Sequence, residues 1–167
     1  GLDLSQNSKL EYLNLFSVHL LDSLDLSQNT NLIELYCNHN PLNSLILGQK
    51  PQLEYLNCNY SFISSLDVSQ SPNLINLECG WGRLTSLDVS QNSQLKKLIC
   101  YENKLTDLDI SQNTLLDTLD CGDNKLNVLD VSQNTALKWL NCFIAFDPIN
   151  QHNSIDVSNN LALEYLS

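Results

Sequence analysis

Apolar residues recur along this chain with a period of 21, and inside each period they alternate with polar ones. With Leu32 taken as position 1, residues 32–52 read L-I-E-L-Y-C-N-H-N-P-L-N-S-L-I-L-G-Q-K-P-Q. Further copies begin at Leu53, Leu74, Leu95, Leu116 and Leu137. A slightly longer copy begins at Leu10, with one extra residue near Leu21, and a partial one begins at Leu163. Positions 1, 4, 6, 11, 14 and 16 are apolar almost throughout. Position 4 is Leu13, Leu35, Leu56, Leu77, Leu98, Leu119, Leu140 and Leu166, and position 16 runs from Leu4 and Leu26 to Val131 and Val157. Alternation at positions 4 and 6, and again at 14 and 16, is the period of two that a strand requires. Each unit therefore predicts two short strands, joined by corners of Asn, Ser, Gln and Gly.

One such turn cannot bury its own leucines, whereas stacked turns can. The expected architecture is a β-rich, right-handed solenoid with two parallel sheets and very little helix. About seven turns at about 4.8 Å per rung make a rod of roughly 33 Å. The chain reads as one domain over 1–167 with partial repeats at both ends. The stretch Phe143–Ser154 carries five extra residues, so a loop should bulge there. Neither end resembles a capping turn, and flanking sequence, a partner or a second copy is expected to cover the core.

The segment from Leu32 resembles the leucine-rich repeat, L-x-x-L-x-L-x-x-N-x-L, with Cys in place of the third Leu. The second half of the unit, L-T-S-L-D-V-S-Q-N from Leu84, echoes the same pattern. That nesting is similar to the short 21-residue class found mostly in bacterial proteins. The resemblance covers essentially the whole chain. It implies a protein-binding scaffold on a secreted or cell-surface protein, although a scaffold does not by itself fix function. It also assigns the Asn at position 9 to bonding backbone groups at the corner. Asn40, Asn103 and Asn124 occupy that position, but Val18, Ser61, Gly82 and Ala145 replace it elsewhere.

The chain has 167 residues with 8 Lys plus Arg against 19 Asp plus Glu, a formal charge of −11. This balance argues against nucleic acid and anionic membrane surfaces as partners. No apolar run is long enough to span a bilayer, and no signal peptide is visible. The chain opens with Gly and holds no Met, so a processed or excised piece is expected.

Three constant columns look like chemistry. Cys37, Cys58, Cys79, Cys100, Cys121 and Cys142 stand 21 residues apart at an inward position. Parallel projection suits a disulfide poorly, and zinc needs convergent ligands, so the column reads as buried apolar filler, with disulfides as the alternative. Asp3, Asp25, Asp67, Asp88, Asp109, Asp130 and Asp156 form an acidic column. Calcium is one reading; the favoured one has each carboxylate bonded by backbone or hydroxyl groups of the next turn. Gln6, Gln28, Gln49, Gln70, Gln91, Gln112 and Gln133 suit amide-to-amide stacking between turns. No cofactor or metal is expected.

Function should lie where the repeats differ. Positions 3, 5, 7 and 8 of the first strand point outward and hold nearly every aromatic residue; only Phe62 and Phe146 fall outside them. An exposed aromatic surface usually means binding, although β-propensity accounts for part of the enrichment. The candidate ligand-binding residues are Tyr12, Glu34, Tyr36, Tyr55, Glu78, Trp81, Lys97, Tyr101, Asp120 and Trp139. A protein partner with a basic patch would use the rings as anchors and the charges for orientation. The alternative is a glycan stacked on the same rings. Glu34, Glu78, Glu102, Asp120 and Asp123 could supply an acid–base pair, but no nucleophile elbow, phosphate loop or metal-spaced His pair accompanies them, so an enzyme is not expected.

Overall fold

The computed structural model describes residues 2–143 and 155–167. Its main sheet has eight parallel strands. They are β1 (Tyr12–Asn14), β3 (Glu34–Tyr36), β5 (Tyr55–Asn57), β6 (Asn76–Glu78), β7 (Lys97–Ile99), β8 (Thr118–Asp120), β9 (Trp139–Asn141) and β10 (Tyr165–Leu166). The strands lie side by side in chain order, and the position-4 leucines pair directly from Leu13↔Leu35 through Leu119↔Leu140 to Leu140↔Leu166. The last pairing spans 26 residues, so the five-residue insertion leaves the register intact. Most of the expected loop, 144–154, including Ala145 and Phe146, lies outside the described residues.

The second sheet is a single parallel pair, β2 (Ser23–Asp25) and β4 (Ser44–Ile46). In later turns the equivalent leucines, Leu66, Leu87 and Leu108, stay buried without a strand ladder. One backbone bond per turn ties that corner instead, as Arg83 N–H donates to Ile63 O at 3.1 Å and Lys104 N–H to Leu84 O at 2.8 Å. The side chains flanking each of these leucines are exposed, so water can serve the remaining backbone groups. No helix occurs among the described residues, and none is long and apolar enough to cross a membrane.

Every turn sends its leucines into one continuous core. Leu35, Leu56, Leu77, Leu98, Leu119 and Leu140 are fully buried, and each contributes about 1.5–3 kcal/mol of transfer free energy against the entropy of ordering its turn. The cysteine column lies beside them. All six thiols are free, and five are buried. Burial pushes the Cys37 and Cys79 thiols up to about 12, and raises the others as well.

Two of the polar columns are organised differently from the sequence expectation. The Asp carboxylates accept from the amide two residues on in their own turn, as Asp88 Oδ1 does from Ser90 N–H at 2.9 Å. The same bond recurs at Asp3, Asp25, Asp67, Asp109, Asp130 and Asp156. An Asx turn brings that N–H within reach of the short side chain, while the next turn is a full rung away. These bonds hold the carboxyls below their ordinary range, consistent with stable anions at the corner.

The glutamines do not stack on one another. Gln28, Gln91, Gln112 and Gln133 each donate to the hydroxyl of the preceding Ser at 3.4 Å. The amide ladder is formed by the next residue, turned inward. Asn92 donates to Val68 O and Ser71 O, Asn113 to Val89 O and Asn92 O, and Asn134 to Ile110 O and Asn113 O, all at 2.7–3.0 Å. Asn160 continues the ladder across the insertion. A second ladder, at position 9, is the one implied by the repeat resemblance. Asn103 donates to Cys79 O and Cys100 O, while its Oδ1 accepts from Leu84 N–H at 2.9 Å. Asn40 and Asn124 repeat the pattern.

Candidate functional site

The strand face and the corner that follows it carry two separate files of rings. The first stands on position 3 or 5 of the strands. Tyr12 and Tyr36 have centroids 5.7 Å apart, and Tyr36 and Tyr55 are stacked at 4.8 Å. Their hydroxyls are engaged. Tyr36 donates to Glu34 Oε2 at 2.9 Å, and Tyr55 donates to Glu78 Oε1 at 3.1 Å. Burial together with the adjacent Glu34 pushes the Tyr36 phenol up to about 12, and burial with Glu78 raises that of Tyr55.

Glu78 is the hub of this region. Besides Tyr55 it accepts from Asn57 Nδ2 at 2.9 Å, Asn59 Nδ2 at 3.1 Å and Lys97 Nζ at 2.7 Å. The Lys97–Glu78 ion pair is the one found among the described residues. Its geometry ties Glu78 and Lys97 to each other, so neither presents an unengaged charge.

The second file stands at position 8, where the chain leaves the strand. Ser17, His39, Tyr60, Trp81, Glu102 and Asp123 all have left-handed backbone, with φ between 50° and 57°. A non-glycine residue there is strained by about 1–2 kcal/mol, and bulky side chains are unusual in it. His39 and Tyr60 are nonetheless stacked at 4.1 Å, and Tyr60 and Trp81 at 5.4 Å with 19° between planes. Phe16 meets His39 edge-on at 5.3 Å. Trp81 is 49% exposed and Tyr60 39%.

Tyr101 joins this file from position 7. Its ring lies over Gly80, where a Cβ would stand 2.7 Å from ring carbons Cδ1 and Cε1. This lets the Tyr101 hydroxyl reach that of Tyr60, two turns away, at 3.3 Å. Burial and the Tyr60 contact raise the Tyr101 phenol, with Asp120 and Glu102 adding to the effect. Asp120 accepts from Asn141 Nδ2 at 3.0 Å and Gly122 N–H at 3.2 Å, and its carboxyl is raised chiefly by burial.

The structure thus divides the expected site. Tyr12, Glu34, Tyr36, Tyr55, Glu78 and Lys97 form one group, linked by ring contacts between the tyrosines and by bonds to the two glutamates. Trp81 and Tyr101 gather around Tyr60, with Asp120 close to Tyr101. Trp139 stands further along, stacked on Tyr165 at 5.0 Å and 6°. His39 and Tyr60 are central to the corner file although the sequence did not single them out among the outward residues. Their signal was positional: rings at the same repeat position in successive turns. Elsewhere, Arg83 places its guanidinium 4.4 Å from the Phe62 ring centroid. Among the described residues, no three His, Cys, Asp or Glu side chains are gathered so as to hold a metal ion.

No family model matches the sequence, and no curated protein matches it either. Solved structures do. A leucine-rich repeat protein of Leptospira interrogans superposes with a TM-score of 0.64 at 24% identity, over 92% of this chain and 50% of that one. An internalin of Listeria monocytogenes superposes with a TM-score of 0.60 at 20% identity, over 98% of this chain and 62% of that one. The Arabidopsis receptor kinase HAESA, solved with a peptide hormone and a co-receptor, gives 0.70 at 17% identity, over 98% and 30%. The chain has the leucine-rich repeat solenoid fold, with turns of about 21 residues. It spans about half the length of the Leptospira protein and under two thirds of the internalin.

Proposed function

We propose that this chain is a non-catalytic binding module, one solenoid over 1–167, that recognises a protein partner through its ring-bearing face. The observation that carries this reading is the corner file: His39, Tyr60 and Trp81 hold stacked, partly exposed rings on strained backbone in three successive turns. The buried core gains nothing from rings placed there. Strain kept at an exposed surface is common at functional sites.

The partner we propose carries a basic patch. The chain has a formal charge of −11, and Glu34, Glu102, Asp120 and Asp123 lie on this face while Lys97 is already paired with Glu78. Tyr12, Tyr36, Tyr55, Trp81, Tyr101 and Trp139 serve as anchors in this reading. Glu34, Glu78, Lys97 and Asp120 set their orientation. HAESA, which shares the fold, was solved holding a peptide hormone and a co-receptor, a precedent for protein ligands on this scaffold. A secreted or surface-displayed protein is the setting we propose, on the resemblance to bacterial short-repeat proteins.

A glycan is the second reading, favoured by the half-exposed Trp81 indole. Sugars stack on ring faces, however, and the near-parallel rings of the corner file cover much of one another's faces. Selection from a random-peptide display library, run beside a glycan array, tests the choice. Enriched peptides lost on combined Trp81→Ala and Tyr101→Ala, with the melting temperature nearly unchanged, support protein recognition. Glycan hits without peptide hits overturn it. Turnover of polysaccharides or model esters that disappears in Glu78→Gln would overturn the non-catalytic reading.

A further inference from the structure

We infer that the outer face of Trp81 and the carboxylate of Glu102, one turn on, form a slot for an arginine side chain of the partner. This rests on the protein-binding reading above and adds to it the chemistry of one contact.

The position-8 column changes character at a single step. It runs His39, Tyr60, Trp81 and then Glu102 and Asp123, all in the same left-handed conformation. Tyr60 stacks on one side of Trp81, and among the described residues no ring stacks on the other. The next rung of the column, where a further ring would lie, supplies Glu102 instead. Among the described residues Glu102 has no ion-pair partner, because the lone pair joins Lys97 to Glu78.

A ring face open on one side, with a carboxylate at the next rung, matches a guanidinium more closely than an ammonium. The guanidinium is planar, stacks on aromatic faces and donates two parallel bonds to a carboxylate. Stacked on Trp81, the guanidinium takes the place of the ring missing at the next rung, about 4.8 Å on, and meets the Glu102 carboxylate by its edge. The protein already contains such a contact, since Arg83 lies 4.4 Å from the Phe62 centroid. Tyr101, resting over Gly80 and touching Tyr60, walls the neighbouring side, and Asp120 adds negative charge close to it.

Calorimetric titration with a peptide of alternating Gly and Arg, against the same peptide carrying citrulline in place of Arg, tests the slot. Citrulline keeps the shape and removes the charge. The Arg peptide is expected to bind about tenfold more tightly, and Glu102→Gln to remove most of that difference. Glu54→Gln makes the same charge change at an exposed site off this face and is expected to cost less than about twofold. Trp81→Phe should retain part of the affinity that Trp81→Ala loses. Equal binding of the two peptides, no binding at all, or an equal effect of Glu54→Gln would overturn the slot. If library-selected peptides depend on Trp81 and Tyr101 yet ignore Glu102 and citrulline replacement, the slot falls and the binding face stands. If none depends on this face, both fall.

Discussion

Lys50 Nζ donates to the Leu26 carbonyl at 2.8 Å, the same kind of bond that Asn92 Nδ2 makes to Val68 O at 3.0 Å two turns later. Lys50 occupies an asparagine position of the inner amide ladder and is fully buried. Its other acceptors are the Leu47 and Gln49 carbonyls. An ammonium has thus been fitted into a slot built for a neutral amide. Burial holds its pKa down at about 8, against some help from Asp25.

Lys50→Asn is therefore expected to stabilise the fold at pH 7 by about 1–2 kcal/mol, a rise of a few degrees in Tm. The folded pKa of Lys50 lies below its unfolded value of 10.5, so the unfolded chain binds more protons between about pH 8 and 10.5. The cost of burying the charge therefore fades as pH rises through that window. The advantage of Lys50→Asn over the parent should shrink accordingly, as read from paired melts at pH 7 and pH 10. Lys50→Met, which removes the buried donor shared by the Leu26, Leu47 and Gln49 carbonyls, should lower Tm at pH 7.

The cysteine column acts in the opposite direction. The Cys37 and Cys79 thiols titrate near 12 when folded and near 9.0 when unfolded. Their contribution is complete below pH 9 and is lost between about pH 9 and 12, because the unfolded chain then releases protons that the folded chain keeps. Each such thiol removes up to about 1.4 kcal/mol per pH unit across that range. Melts should show a steep alkaline loss of stability. A thiol reagent should label the five buried cysteines of the native protein slowly and those of the urea-unfolded protein at once. Fast labelling of Cys58 or Cys100 in the native state would contradict their burial.

Asn103 bonds three backbone groups through one side chain, two as donor and one as acceptor, leaving aside a longer contact. Asn103→Leu should orphan the buried Cys79 carbonyl and the Leu84 N–H, and leave the Cys100 carbonyl to Asn124 alone. The expected loss is about 2–4 kcal/mol, measured by urea titration. An Asp at this position keeps the acceptor and loses both donors, and should recover only part of that stability.

Gly80→Ala is expected to leave the fold almost untouched, within about 1 kcal/mol, and to disturb the face. The new methyl would meet the Tyr101 ring at 2.7 Å, a clash relieved by a swing of that side chain, and the Tyr101 carbonyl oxygen at 3.2 Å, relieved by a backbone shift of a few tenths of an ångström. The Tyr60–Tyr101 hydroxyl contact would then break. Unchanged Tm together with weaker binding of a library-selected peptide is the expected pair of results. A large drop in Tm would mean that Tyr101 is held as part of the core.

The column arithmetic was readable without coordinates. Leu35, Leu56 and Leu77 fall on one inward line because they share a repeat position, and the structure pairs them directly. The cysteine filler and the position-9 asparagines follow the same logic. What misled was the direction of side chains at the corner. Gln91 and Asn92 are adjacent and both carry amides, yet Asn92 enters the core and Gln91 bonds Ser90. Periodicity gives each residue a column and leaves its direction at a turn open, since a turn has no fixed alternation. Lys50 was hidden for the same reason: by composition it belongs on the surface.

Sequence alone determined that this chain stacks turns of 21 residues around leucine and cysteine columns, because repetition makes equivalent residues neighbours whatever the details of the turn. Tertiary structure decided which outward rings are tied and which are open. The hydroxyls of Tyr36 and Tyr55 are held by glutamates, while Tyr60 and Trp81 stand on left-handed backbone at the corner. That difference depends on backbone dihedrals and on distances between turns, which no single repeat encodes.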